Sequence, residues 1–209
     1  MQPADIASLL VPYLGAEKLA PGQLEQVSTY LDLLLKWNAR INLTSVRRPE
    51  EILTRHFGES FFAARHLGLG DQGTSLIDLG SGAGFPGLPI KLYAPVLAVT
   101  LIESNQKKAT FLREVIRAIT FIDIDVYAGR AEDFPGKAAT VTLRAVEKPQ
   151  RALAAAARLI APGGRLALLV GAAQAAEFRG LLPGFSWALP IALPGSLARV
   201  LLLGSRSNQ

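Results

Sequence analysis

The chain contains no cysteine, one methionine and two histidines in 209 residues. Without cysteine there is no disulfide framework and no thiolate-bound zinc or iron–sulfur centre. Enzymes that attack carbon 5 of a pyrimidine through a covalent thioether are excluded too, because their nucleophile is a thiolate. His56 and His66 are too few for a histidine-rich site, so no metal is expected. No apolar run reaches the roughly 18 residues that a membrane span needs, so no membrane partner is expected. The opening Met1-Gln2-Pro3-Ala4-Asp5 has neither the basic region nor the apolar core of a secretion signal, and the expected location is the cytoplasm.

What is present is ordinary for a globular protein, with half the residues hydrophobic and 19% charged. The length suits one well-packed domain, with room for a small appended segment. The formal charge of +5 is unevenly spread. Residues 1–75 and 76–136 each carry a net of −1, whereas residues 137–209 carry nine basic groups against two acidic ones. A basic final third is expected of a chain that meets a polyanion, nucleic acid being the commonest. A plain solubility charge accounts for it equally well.

The first 70 residues read as helical. Leu24, Val27, Leu31, Leu34 and Leu35 recur at helical spacing, and Pro21 and Gly22 mark where that helix starts. Pro49-Glu50-Glu51 has the proline and the acids of a second helix start, running on through Phe57. From residue 75 the texture changes to short apolar runs alternating with helical stretches. The runs are Leu76–Leu79, Val99–Glu103, Ile124–Tyr127, Val141–Leu143 and Leu166–Val170. Helices are expected at 87–94, 105–118, 149–160 and 172–182. This alternation is the mark of βαβ units around a parallel sheet covered on both faces. Trp187–Leu193 and Val200–Leu203 are joined by a turn too short for a crossover helix, so they form an antiparallel hairpin. The expected fold is α/β, a Rossmann-like seven-stranded sheet, mostly parallel with a C-terminal antiparallel hairpin, preceded by N-terminal helices.

The chemistry is concentrated in Leu76-Ile77-Asp78-Leu79-Gly80-Ser81-Gly82-Ala83-Gly84-Phe85-Pro86-Gly87. A buried strand runs directly into spaced glycines, which let the backbone turn sharply and approach a ligand. The next helix offers free N–H groups and the positive end of its dipole. Glu103 closes the second strand, where a carboxylate is placed to accept both hydroxyls of a ribose. Gly82–Gly87 also satisfies the dinucleotide pattern G-x-G-x-x-G, which keeps a nicotinamide or flavin oxidoreductase open. Three features favour S-adenosylmethionine instead: Asp78 inside the strand end, the tighter Asp-x-Gly-x-Gly-x-Gly spacing, and no room for a substrate domain. The expected organisation is a helical cap over 1–70 and a cofactor-binding methyltransferase domain over 71–209, together one compact unit. Ala131 and Glu132 follow the third strand, where backbone and an acid can bracket an adenine edge. Arg144 ends the fourth strand, beside the reactive methyl, and the Asn/Asp-Pro-Pro-Tyr/Phe motif of amino-group methyltransferases is absent there.

With these pieces placed, the chain resembles the ribosomal RNA small-subunit methyltransferase G family, also called glucose-inhibited division protein B. The resemblance runs from about residue 36 to residue 203. It rests on Lys36-Trp37-Asn38-Ala39-Arg40-Ile41-Asn42-Leu43-Thr44, Arg55-His56-Phe57, Asp78–Gly87, Gly129-Arg130-Ala131-Glu132, Arg144-Ala145 and Pro162-Gly163-Gly164. One departure is His56-Phe57-Gly58-Glu59-Ser60, where the family reads His-x-x-Asp-Ser; Glu59 keeps the charge with one more methylene. The resemblance implies methylation of N7 of one guanine in bacterial 16S rRNA, on the RNA or on a small-subunit precursor. It also implies that the N-terminal helices cap the cofactor side and that Gly80, Phe85, Ala131, Glu132 and Arg144 line the cofactor site.

The candidate residues are therefore Asp78, Gly80, Gly82, Gly84, Phe85, Glu103, Ala131, Glu132 and Arg144 for the cofactor. Arg144 and Arg199 are candidates for positioning the guanine, and Arg130 and Arg199 for the RNA backbone. Each has a plainer reading: Arg144 pairing only with Glu147, Arg130 and Arg199 as solvated charges, His56 as a structural histidine. A methyltransferase of another target and a non-catalytic RNA-binding assembly factor remain open beside the main reading. With no apolar surface stripe evident, a monomer is expected.

Overall fold

In a computed structural model, the structure describes residues 1–69, 74–145 and 148–206. The chain opens with α1 (Pro3–Leu14) and α2 (Pro21–Asn38). Pro21 sits in the first turn of α2, where a missing N–H costs nothing. Of the apolar positions read from the sequence, Val27, Leu31 and Leu34 are buried, Leu24 and Leu35 only partly, and Tyr30 is fully buried among them. α3 (Pro49–Ile52) runs through a π-helical turn (Leu53–Gly58) into α4 (Glu59–Leu67).

The α/β part follows as β1 (Ser75–Leu79), α5 (Gly87–Tyr93), β2 (Ala98–Ile102), α6 (Gln106–Ala118), β3 (Ile124–Tyr127), β4 (Ala138–Arg144), α7 (Pro149–Leu159), β5 (Ile160–Gly171), α8 (Ala175–Leu181), β6 (Phe185–Trp187), β7 (Ile191–Ala192) and β8 (Arg199–Arg206). The strand order is β3-β2-β1-β4-β5-β8-β6, with β7 also paired to β8. The first five strands are mutually parallel, and β8 is antiparallel to β5, β6 and β7. The expected hairpin is present, but its first arm is two strands, so the sheet has eight strands and not seven. Pro190, between β6 and β7, has no N–H to give to a ladder, and the arm breaks there.

Alternation along the strands decides which residues meet which layer. Ile77, Leu79, Val141, Leu143, Leu166 and Leu168 face α7 and α8 in one core. Leu76, Val99, Leu101, Ala167 and Leu169 belong to the other core, with α1, α2, α4, α5 and α6. The N-terminal helices thus share a hydrophobic core with one face of the sheet. The 70/71 boundary read from the sequence lies outside the described residues, as does Glu147. No helix among the described residues is long and apolar enough to cross a membrane.

Candidate active site

The order of the parallel strands reverses between β1 and β4, and the carboxyl ends of strands splay apart at such a point. A cleft of about 720 Å³ opens there. Leu79, Ile102 and Leu143 form its apolar floor at the ends of three strands, and Ala152 and Ala155 of α7 form a wall. Gly80, Glu103, Arg130, Ala131, Glu132 and Arg144, all singled out from the sequence, line it.

Glu103 is 7% exposed, and its two oxygens accept from the amides of Gly82 at 2.8 Å and Asn105 at 2.7 Å. Each oxygen keeps a lone pair, and the carboxylate lies on the cleft wall. The loop before it is tied to the end of β2, since the amides of Gly80 and Ser81 both donate to the Ile102 carbonyl. Gly80 holds a φ of +69° and a Cβ there would meet nothing within 4 Å, so the backbone at this point is bare toward the cleft. These features suit the ribose and methionine ends of S-adenosylmethionine: a carboxylate acceptor, bare backbone, and apolar walls for a flat base.

Four of the expected cofactor residues do not line the cleft. Asp78 alternates with Ile77 and Leu79 and so points the other way, beneath α5, where it is 1% exposed. One of its oxygens accepts from the hydroxyl of Thr142, its register partner on β4, at 2.7 Å. The other accepts from the Gly87 amide at the start of α5, at 3.2 Å. One of the helix-start amides expected to be free for a ligand is therefore used internally. Burial raises Asp78 to about 6, against the pull of these hydrogen bonds and of Arg144. Gly82 supports the site by binding Glu103. Gly84, at φ +91°, lies against Leu88 and the Tyr30 hydroxyl, which itself donates to the Ala83 carbonyl. Phe85 stacks between Tyr30, at 5.3 Å, and His56, at 4.9 Å. These residues shape the loop from behind.

Nor do the N-terminal helices contribute any lining residue; they reach the cleft edge through Arg55 and Glu59. Glu59, 1% exposed, binds Arg144 at 2.9 Å through one oxygen and Arg199 through the other. Arg144 also donates to the Arg55 carbonyl, on the π turn, at 2.6 Å. Neither arginine is a free surface charge, and the partner of Arg144 is 85 residues away in sequence. Ala145, just beyond Arg144 on the cleft wall, has a φ of +51°, a conformation few residues other than glycine adopt. His56 accepts or donates through Nε2 to Thr44 at 2.8 Å. Burial, together with Arg144, Arg55 and Arg199, lowers it to about 3. Asn38 closes the 38–44 turn, its oxygen accepting from the amides of Leu43 and Thr44.

Among the lining residues not singled out from the sequence are Gln106, Lys148 and Arg151. Arg151 binds Glu132 at 2.5 Å and so ties α7 to the turn after β3. The excess of base in the final third was the available signal. It could not say that α7 would bring two of those charges to the cleft.

Comparison with known proteins agrees with this geometry. The family described as rRNA small subunit methyltransferase G matches residues 23–182. The chain is 36% identical over 199 residues to the ribosomal RNA small subunit methyltransferase G of Xanthomonas campestris pv. campestris, covering 92% of this chain and 91% of the relative. It is 48% identical over 115 residues to the namesake from Roseiflexus castenholzii, covering 55% and 48% of the two chains. Among solved structures, a ribosomal protein L11 methylase from Lactobacillus delbrueckii subsp. bulgaricus superposes with a TM-score of 0.62 over 73% of this chain and 79% of that one. At 15% identity it shows the shared fold only. The dinucleotide oxidoreductase reading is set aside, and the chain belongs to the rRNA small subunit methyltransferase G family of methyltransferases.

Proposed function

We propose that the chain transfers the methyl group of S-adenosylmethionine to N7 of a specific guanine in 16S rRNA, free or within a small-subunit precursor, acting in the cytoplasm as a monomer. The observation that carries the reading is the cleft at the strand-order switch. There one buried acid, Glu103, faces four basic side chains: Arg130, Arg144, Lys148 and Arg151.

When bound, S-adenosylmethionine supplies an electrophilic methyl group on its sulfonium. Glu103 accepts hydrogen bonds from the ribose hydroxyls, Gly80 admits the ligand close to its backbone, and Ala131 with Glu132 brackets the adenine edge. Asp78, Gly82, Gly84 and Phe85 hold that loop in shape. Guanine N7 has an in-plane lone pair and no proton to lose, so the chain need supply no general base. His56, held neutral down to about 3 and half-buried against Phe85, acts as a packing group. Catalysis then rests on alignment and exclusion of water. Arg144 and Arg199 offer donors to guanine O6 or a neighbouring phosphate. Arg130, Lys148 and Arg151 attract the RNA backbone.

The test is methyl transfer from labelled S-adenosylmethionine to 16S rRNA taken from cells without the activity, mapped by borohydride–aniline cleavage. A single guanine cut is expected. No transfer despite binding of S-adenosylmethionine would replace this substrate with another RNA or a small molecule, and binding of RNA alone would point to an assembly factor.

A further inference from the structure

Two guanidinium groups, of Arg144 and Arg199, close on Glu59, while that of Arg55 pairs with Glu51 and Arg55 offers the cluster its backbone carbonyl. Glu59 is held in α4, Arg144 ends β4 and Arg199 begins β8, so three distant parts of the chain meet on one carboxylate. The donor count is informative. Nη2 of Arg144 has two hydrogens, and both have fixed acceptors, Glu59 and the Arg55 carbonyl. Its Nη1 is buried and has no partner among the described residues, and the same holds for Nε of Arg199 and of Arg55. Both acceptors of Nη2 are groups of the protein itself, so the direction of the Arg144 guanidinium is set by the fold before any ligand binds.

We infer that Glu59 is a positioning residue, which presets Arg144 on the cleft wall and Arg199, bound to the same carboxylate, as a fixed pair of donors for an oxygen of the substrate RNA. This rests on the roles given above to those two arginines. Glu59 lies outside the cleft and touches no substrate; it acts by fixing where the guanidinium groups point. An arginine left free must be ordered at the moment of binding, and each ordered side chain costs a fewfold to tenfold in affinity or rate. With Glu59 in place, this ordering is complete before the RNA arrives.

The test compares Glu59→Gln and Glu59→Asp with the parent full-length protein. The readouts are kcat and KM for 16S rRNA, calorimetry with S-adenosylmethionine, and the ¹⁵N signals of the arginine side chains. Glu59→Gln is expected to retain the backbone spectrum and bind S-adenosylmethionine within threefold of the parent. Its kcat/KM for RNA falls about 10- to 100-fold, mostly in kcat, as the Arg144 and Arg199 signals shift and broaden. Glu59→Asp keeps the charge and recovers most of the loss. In it, kcat and the two guanidinium signals move together, which also serves if Glu59→Gln fails to fold. Parent-like kcat with collapsed guanidinium signals, or lost kcat with unchanged signals, overturns the assignment. A parent protein that methylates no 16S rRNA overturns the proposed function itself, whereas failure of this inference alone leaves parent activity intact.

Discussion

Arg144 and Arg199, at the ends of two different strands, bind opposite oxygens of a single carboxylate, that of the buried Glu59. Replacing Arg199 with alanine leaves Glu59 with one partner and removes one of the two donors that this carboxylate holds. RNA methylation is expected to fall at least tenfold, while S-adenosylmethionine binds as before by calorimetry. Stability should drop by roughly 1–3 kcal/mol, the usual cost of under-satisfying a buried polar group. Loss of cofactor binding with intact folding would remove Arg199 from its assigned place.

Two glycines of one loop should respond differently to the same change. Gly84→Ala drives a Cβ into Leu88 and the Tyr30 hydroxyl at a φ of +91°. A loss of about 2–4 kcal/mol is expected in urea unfolding, with clash and backbone strain acting together. Gly80→Ala meets no neighbour, so it carries only the strain of a φ of +69°, roughly 1–2 kcal/mol. Its larger effect should be on S-adenosylmethionine affinity, because the added methyl stands at the cleft. Equal melting temperatures for the two variants would contradict this division.

Asp78 and His56 oppose one another in pH dependence. Folded Asp78, raised to about 6, keeps a proton that the unfolded chain loses from about 4 upward, so its contribution to stability declines between pH 4 and 6. His56, lowered to about 3, resists a proton that the unfolded chain takes up below 6.5, so its contribution grows over the same interval. Each slope is about 1.4 kcal/mol per pH unit, and in the parent they nearly cancel. His56→Gln should therefore lose roughly 3 kcal/mol of stability from pH 4 to 6, and Asp78→Asn should gain about as much. Unfolding titrations at pH 4, 5 and 6 measure both slopes; slopes of the same sign would refute the pairing.

Lys148 is exposed and stands on the cleft wall at the start of α7. Lys148→Ala is expected to weaken RNA binding severalfold at low salt. The slope of log affinity against log salt should shrink by about 0.7–0.9, the share of one phosphate contact. Filter binding from 50 to 200 mM salt gives that slope. A change confined to S-adenosylmethionine binding would place Lys148 with the cofactor instead.

Much of this was legible in the chain. The change in periodicity near residue 75 marked five parallel strands, because a strand buried on both faces must be continuously apolar. The glycine loop and Glu103 pointed to the cleft that Gly80 and Glu103 line, since a tight strand-to-helix turn needs those residues at that spacing. The proline that splits the hairpin arm was visible too, although the arm was read as one strand. That Asp78 points beneath α5 was not legible, because alternation along β1 is a two-residue signal. Which face of the sheet α5 covers depends on the sheet as a whole.

The sequence by itself determined the fold class, the glycine turn after β1 and the family, because these depend on local spacing of apolar residues and glycines. Only the tertiary structure decided that Arg144 and Arg199 share Glu59, that Asp78 braces Thr142 and α5, and that α7 brings Lys148 and Arg151 to the cleft. Such pairings join residues up to 140 positions apart. They arise from sheet order and helix packing, which bring side chains within 3 Å without leaving a mark in any local window.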